Sequence, residues 1–195
     1  KKKLYLFFRS SLIFLHVLYA SLSLMKTREV KPIFAFIDAQ NILFGVRKCG
    51  WEIDWKKFAI YLEDKYQAKR IFLFIGYINR NRHLYDFLRK CGYILIFKPT
   101  IIDSNKKIKG NCDGDMILYI LNRLRNYSKA VVITSDGDFY STVKFLYKIK
   151  KLEVVLSPNI EKCSSLLKSV AKERIDFMNQ LKDKLEYCPK MKKHR

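Results

Sequence analysis

The chain has few acidic residues for its size. Of its 195 residues only 18 are Asp or Glu, against 39 Lys and Arg, so its formal net charge is +21. A surface with that surplus attracts polyanions and disfavours basic partners. Nucleic acid is therefore favoured as a partner, and the alternative is that the lysines reflect only a compositional bias with no polyanion bound.

Signals for cysteine pairing are also missing. The five cysteines are odd in number and none belongs to a Cys-x-x-Cys pair. This pattern indicates neither a disulfide framework nor a structural zinc site. We therefore expect a reducing, cytoplasmic location.

No clean membrane-spanning run is present. Residues 4–24 are largely apolar, but Arg9 and His16 interrupt them and Ser recurs through them. We interpret residues 1–25 as a doubtful extension, with Met25 as the true start of the protein. The alternative is a signal-like segment or anchor, and the mass of the intact amino terminus distinguishes the two. We expect no stable membrane association.

Several catalytic motifs are absent. The turn after the first apolar run lacks Gly-x-Gly-x-x-Gly, which argues against a dinucleotide-dependent oxidoreductase. A haloacid-type phosphatase would need a second Asp two residues after Asp38. This chain has Gln40 there, which argues against that class of enzyme. No Ser-His-Asp or Cys-His motif supports nucleophilic catalysis.

The apolar pattern that is present alternates between strands and helices. Apolar residues recur at helical spacing in four places: after Asp54, before Gly92, after Asp115 and around Val143. Beyond Pro158, the spacing predicts one long or broken helix over residues 166–185. Short apolar runs without strict alternation predict strands at 33–37, 71–77, 93–97, 130–134 and 153–157.

These elements predict an α/β sandwich with a central parallel sheet of about five strands and helices on both faces. We expect one domain over residues 31–187, followed by a basic tail at 188–195.

Acidic residues follow two of the predicted strands. Asp38 comes after the first strand, Asp136 and Asp138 come after the fourth, and Asp113 and Asp115 open the helix before the fourth. Parallel strands bring such positions to one sheet edge, where converging carboxylates repel unless a cation neutralises them. Mg²⁺ or Mn²⁺ accepts these oxygen ligands and supports phosphodiester hydrolysis. Each acid alone has a simpler alternative as a helix cap or a turn residue.

Three motifs occur in a familiar order: Phe-Ile-Asp-x-x-Asn from Phe36, Lys-Gly-Asn-x-Asp-x-acid from Lys109, and Ser-Asp-x-Asp-Phe from Ser135. Together they resemble the NYN domain, and in particular the LabA-like branch of the PIN-like nuclease superfamily. The resemblance runs from about residue 33 to residue 187 and includes Lys98-Pro99 and the Ser-Ser-Leu-Leu-Lys segment from Ser164. It implies a Rossmann-like fold and a metal-dependent endoribonuclease.

The resemblance also implies roles for particular residues. Asp38, Asp113, Asp136 and Asp138 would be catalytic metal ligands. Asp115 would occupy the position of the second acid in the middle motif and add a further metal ligand. Asn41 would orient the substrate or a water molecule on the metal.

Residues around this site are candidates for contacting RNA. They are Tyr77, Arg80, Arg82, Lys109 and Ser135. Tyr77 would stack on a base, although packing in the core is equally compatible with the sequence. Lys109 would meet the phosphate, with a solvated loop lysine as the alternative, and His83 is more simply a solvated residue than an acid or base.

A second function stays open on the sequence alone. The alternative is an RNA-binding or regulatory NYN module with little or no nuclease activity, although the presence of all four carboxylates argues against an inactive site. Measuring turnover separates the two functions, whereas measuring metal binding does not. A homodimer is also left open.

Overall fold

The computed structural model describes residues 30–98 and 113–189, and only the backbone of residues 101–102 and 108–109. Residues 1–25 and the end of the predicted tail, 190–195, lie outside the described residues. No helix among the described residues is long and apolar enough to cross a membrane.

Strands and helices alternate along the chain. The strands are β1 (Ile33–Asp38), β2 (Ala68–Gly76), β3 (Tyr93–Lys98), β4 (Ile101–Ile102), β5 (Ile108–Lys109), β6 (Ala130–Ile133), β7 (Leu152–Ser157) and β8 (Ile175–Phe177). The helices are α1 (Ala39–Lys48), α2 (Trp55–Tyr66), α3 (Arg82–Lys90), α4 (Asp113–Asn122), α5 (Tyr140–Lys148), α6 (Ser165–Ala171) and α7 (Lys182–Leu185). Short 3₁₀ helices cover Asn79–Asn81, Gly137–Phe139 and Met178–Leu181.

The central sheet places the ends of β1 and β6 side by side. Its order is β3-β2-β1-β6-β7-β8, and all of its neighbouring strands pair in parallel. From β1 the chain moves outward to β2 and β3, whereas from β6 it moves outward in the opposite direction to β7 and β8. A crevice opens at such a reversal of strand order, at the carboxyl ends of the strands, and open α/β sheets bind their ligands there.

The sheet separates two hydrophobic cores. Ala35 and Ile37 of β1 pack with the buried sides of α1, α2 and α3, whereas Phe34 and Phe36 pack with those of α4, α5 and α6. Successive strand residues point to opposite faces, so both faces of β1 are covered and its sequence is apolar throughout. The predicted α/β fold, with helices on both faces of a parallel sheet, is confirmed.

Two details differ from the prediction. The sheet has six strands, because β8 pairs with β7, and β4 and β5 form a separate antiparallel pair. The helix predicted over residues 166–185 is interrupted: α6 ends at Ala171, β8 follows, and α7 starts at Lys182. The apolar residues of this segment have helical spacing, but pairing with β7 selects an extended conformation for Ile175–Phe177.

Helix α1 was not expected from the sequence. It buries Ile42, Gly45 and Val46 at helical spacing. A glycine within a helix normally weakens it, but here a Cβ atom at Gly45 would lie 2.6 Å from both Cβ and Cγ of Pro158. The glycine therefore allows α1 to pack closely against the chain that leaves β7.

Candidate metal centre

Asp38 lies at the junction of β1 and α1. It is the last residue of the strand, and its Oδ1 accepts a hydrogen bond of 3.1 Å from the backbone N–H of Asn41. The side chain therefore caps α1, as a short acidic residue before a helix commonly does. It is nevertheless only 8% exposed, and none of the described cations forms an ion pair with it, which is unusual for a carboxylate.

The environment of Asp38 opposes its negative charge. Burial raises its pKa to about 6, the hydrogen bond from Asn41 opposes the rise, and the charges of Asp113 and Asp136 add to it. Desolvation and neighbouring like charges both disfavour an ionised acid. A bound cation would offset the repulsion from Asp113 and Asp136 and so favour the ionised form of Asp38.

The loop after β6 carries two further carboxylates. Its first turn is held by two local hydrogen bonds: Asp136 N–H donates to Thr134 Oγ1 at 3.1 Å, and Asp138 N–H donates to Asp136 Oδ1 at 3.0 Å. Thr134 and Phe139 are fully buried on either side of the loop. The local bonds and the two buried anchors fix the backbone from which Asp136 and Asp138 project.

Three carboxylates meet at this edge of the sheet. Asp113, Asp136 and Asp138 each offer one oxygen, and these oxygens lie within 4.8 Å of one another. We call these three residues the acidic cluster. Asp113 is the first residue of α4, so the cluster joins the start of one helix to the loop after β6. Asp38 lies beside it, close enough for the charges of Asp113 and Asp136 to affect its pKa.

Asn41 and Ser135 connect the two sides of the crevice. Asn41 Oδ1 accepts hydrogen bonds from the backbone N–H of Ser135 at 2.8 Å and from its hydroxyl at 2.7 Å. The first residue is on α1 and the second follows β6, so these bonds tie the end of β1 to the loop of Asp136. In this arrangement the Asn41 oxygen positions a loop, which is a role that the sequence did not indicate.

Ser164 supports the same loop from behind. Its backbone N–H donates to the carbonyl of Ser135 at 3.0 Å, and its hydroxyl accepts from the N–H of Leu166 to cap α6. A Cβ atom at Gly137 would lie 2.8 Å from Ser164 Oγ. Gly137 is therefore needed for close packing between the acidic loop and the start of α6. A serine before an apolar run is a recognisable capping signal, but its contact with the loop is not visible in the sequence.

Asp115 points elsewhere. Its Oδ2 lies 3.4 Å from Nζ of Lys98, at the end of β3. Residues two apart on a helix do not share a face, so Asp113 and Asp115 of α4 do not face one point. The structure therefore brings Asp113 into the acidic cluster and places Asp115 beside a lysine.

The residues after β2 form a polar rim. Tyr77 is 39% exposed, stacks on Tyr85 with ring centroids 5.8 Å apart, and contacts Phe97 edge-on at 5.4 Å. Arg82 Nε donates to Asn79 Oδ1 at 3.0 Å. Tyr77 is thus both packed on one side and open on the other.

Three other predicted residues remain to be placed. Arg80 and His83 belong to the same stretch after β2 and are exposed. The side chain of Lys109 lies outside the described residues, although its backbone pairs with Ile101 in the β4–β5 hairpin.

The donor set fits a hard divalent cation. Carboxylate oxygens are the ligands that Mg²⁺ and Mn²⁺ bind, and several of them close together neutralise such an ion. Neither cysteine nor histidine belongs to the acidic cluster. The residues present therefore match a magnesium or manganese site better than a zinc site.

Comparison with known proteins agrees with this fold and identifies the family of the chain. A family model for the NYN domain matches residues 32–179. No curated protein matches the chain at a significant level. A crystal structure of a protein of unknown function from Vibrio parahaemolyticus is similar, with a TM-score of 0.64 at 19% sequence identity, over 82% of this chain and 99% of that one. At that identity the likeness shows the fold alone. The family match spans most of the chain and every acidic segment, and the chain therefore belongs to the NYN domain family.

Proposed function

We propose that this protein is a metal-dependent endoribonuclease that hydrolyses RNA phosphodiester bonds with Mg²⁺ or Mn²⁺. NYN domains belong to the PIN-like nuclease superfamily and generally act on RNA. The observation that carries the proposal is the acidic cluster, whose three carboxylate oxygens lie within 4.8 Å of one another at the carboxyl edge of a parallel sheet. Concentrating negative charge there in a chain of net charge +21 favours a role in binding a cation.

The chain supplies the ligands and holds them in place. Asp113, Asp136 and Asp138 would hold the ion, and Asp38 would complete the set. A divalent ion held there would supply polarisation of the phosphodiester and a more acidic water, both of which favour hydrolysis. Asn41 fixes the loop of Asp136 through Ser135 and so maintains the spacing of the ligands.

Basic and aromatic residues near the site would bind the RNA. Arg80 and Arg82 are exposed after β2, and the open side of Tyr77 would accept a base. Lys109 would contact the phosphate. Ser135 is predicted to do the same, but its hydroxyl already donates to Asn41 Oδ1, so it would support the loop of Asp136 instead. Asp115, the second acid of the middle motif, lies beside Lys98. These roles match the general pattern of single-strand binding, in which cations follow the backbone and aromatic rings stack on bases.

Other features of this function stay predictions. The LabA-like branch follows from the sequence motifs, and the cytoplasmic location follows from the cysteine pattern. A homodimer is left open by the sequence.

Comparing the wild-type protein with matched variants tests the function. Residues 25–195 are incubated with Mn²⁺ and a fluorescent single-stranded RNA, alongside Asp136→Asn and Asp113→Asn. We expect cleavage by the wild type and a loss of more than about a hundredfold in each variant, since each removes a proposed ligand charge. Circular dichroism checks that both variants remain folded.

Two outcomes would change the conclusion. Equal cleavage by the wild type and both variants would indicate a contaminating nuclease or a different site. Binding of RNA without cleavage by the folded, metal-loaded wild type would favour the RNA-binding module.

A further inference from the structure

Helix α5 carries an exposed stripe that begins next to the acidic cluster. The 3₁₀ helix that contains Asp138 leads directly into Tyr140, the first residue of α5. Ser141, Lys144, Phe145 and Lys148 are exposed, and they follow one another at positions i, i+3, i+4 and i+7, which lie on one face of a helix. We call these four residues the α5 stripe. The opposite side of the helix is buried through Thr142, Val143 and Leu146.

The two lysines of this stripe have no acidic partner among the described residues. Helix α5 has no acidic residue, and neither Lys144 nor Lys148 forms an ion pair within the part of the chain that the structure describes. The contact of Lys144 is with a neutral group, because its Nζ lies 3.2 Å from the hydroxyl of Tyr140.

The stripe also carries an exposed aromatic ring. Phe145 is 41% exposed, although a phenyl ring at that position would gain stability from burial. Alternating cations and open aromatic rings are typical of surfaces that bind single-stranded nucleic acid, because the cations meet phosphates and the rings stack on bases. Lysine is depleted in protein–protein interfaces, so this composition favours a nucleic acid over a protein partner.

We propose that the α5 stripe binds the single strand of the substrate on one side of the cleavage site. This inference rests on the proposed function. Lys144 and Lys148 are separated by about 6 Å along the helix axis and would contact successive parts of the phosphate backbone. Phe145 would stack on a base between them. The strand would leave the acidic cluster at Asp138 and follow α5, away from the rim of Arg80 and Arg82.

The salt dependence of RNA binding tests the two lysines. Binding of a fluorescent single-stranded RNA of about 20 nucleotides is measured by anisotropy between 50 and 200 mM salt, with EDTA present to prevent cleavage. Lys144→Gln/Lys148→Gln is compared with Lys56→Gln/Lys90→Gln, which removes the same charge from exposed positions of α2 and α3 on the other face of the sheet. Glutamine is a good helix former, so all these variants should remain folded.

The expected change follows from counterion release. Each phosphate contact on a single strand contributes about 0.7 to the slope of log affinity against log salt, so losing two contacts lowers the slope by about 1.4. Over that fourfold salt range, the stripe variant should then lose about sevenfold less affinity than the wild type. The control pair should retain the wild-type slope.

Phe145 provides a second, uncharged test. Phe145→Ala should weaken RNA binding about tenfold without changing the salt slope, and Phe145→Trp should restore the affinity, because stacking depends on the ring. An effect of Phe145→Ala that tryptophan fails to rescue would contradict stacking.

Failure of this inference can be separated from failure of the proposed function. A wild-type protein that neither binds nor cleaves RNA would contradict the function itself. Wild-type binding and cleavage, with the same salt slope in the stripe and control variants, would contradict only the role of the α5 stripe. The exposed Phe145 would then indicate a protein partner.

Discussion

Replacing Asp38 with asparagine should stabilise the metal-free protein. Burial, together with the charges of Asp113 and Asp136, raises the pKa of Asp38 from 3.8 to about 6 despite the hydrogen bond from Asn41. A shift of about two pKa units corresponds to roughly 3 kcal/mol of unfolding free energy at pH 7, since one unit is worth about 1.4 kcal/mol. Asparagine still offers an oxygen to cap α1. This value is an upper limit, because the buried amide NH₂ group also needs a partner.

The raised pKa also fixes the direction of the pH dependence. The carboxyl group binds its proton more tightly in the folded state than in the unfolded state. The contribution of Asp38 to the free energy of unfolding of the wild type should therefore rise as the pH falls from 7 through 6 towards 4. The Asp38→Asn variant lacks this contribution. Its advantage over the wild type should be largest near pH 7 and should disappear near pH 4.

Urea unfolding in the presence of EDTA measures both effects. Asp54→Asn is the matched control, because Asp54 also caps a helix through its side chain, by accepting from the N–H groups of Lys56 and Lys57. With Mn²⁺ in place of EDTA the advantage of Asp38→Asn should largely disappear, because an ion at a hundredfold its dissociation constant adds about 2.7 kcal/mol to a protein that binds it and Asp38→Asn should bind it poorly. An Asp38→Asn protein that is less stable than the wild type at pH 7 without metal, with an unaltered pH profile, would refute this reasoning.

Two glycines give further predictions. Gly45→Ala should lower the free energy of unfolding by about 1–3 kcal/mol in urea, because the new Cβ would meet Pro158 at 2.6 Å, whereas Gly114→Ala, in open space on α4, should leave it equal or higher. A similar loss in both variants would contradict the close-packing explanation. Gly137→Ala should weaken Mn²⁺ binding measured by calorimetry, because its Cβ would lie 2.8 Å from Ser164 Oγ and move the acidic loop. Adding Ser164→Ala should restore part of that affinity, and strictly additive effects of the two changes would argue against the contact.

The sequence was most informative about the sheet. Each of the five predicted strands has a counterpart in the structure, with ends that differ by up to three residues, because residues buried on both faces must form apolar runs. Helix α1 was hidden by Gly45, whose role depends on Pro158, more than a hundred residues away in the chain. Strand β8 was hidden for a similar reason, because three residues carry little periodicity and its conformation depends on pairing with β7.

The sequence indicated the acids better than the contacts that position them. Asp136 follows the apolar run of β6, and Asp113 precedes the apolar residues of α4. Because parallel strands bring such positions to one edge of the sheet, the convergence of these two acids was predictable. The bonds from Ser135 to Asn41, and the pairing of Asp115 with Lys98, depend on side-chain directions that no local pattern specifies. The roles of the site residues in catalysis stay predictions.

The most direct test of the metal centre is a titration of the protein with Mn²⁺, in which electron paramagnetic resonance reports the unbound ion. We expect the wild type and the Asp54→Asn control to remove Mn²⁺ from solution equally. Asp136→Asn should bind at least about tenfold more weakly, because it removes one charge from the acidic cluster. Equal Mn²⁺ binding by the wild type and Asp136→Asn, with both proteins folded, would contradict the assignment of the acidic cluster as the metal site.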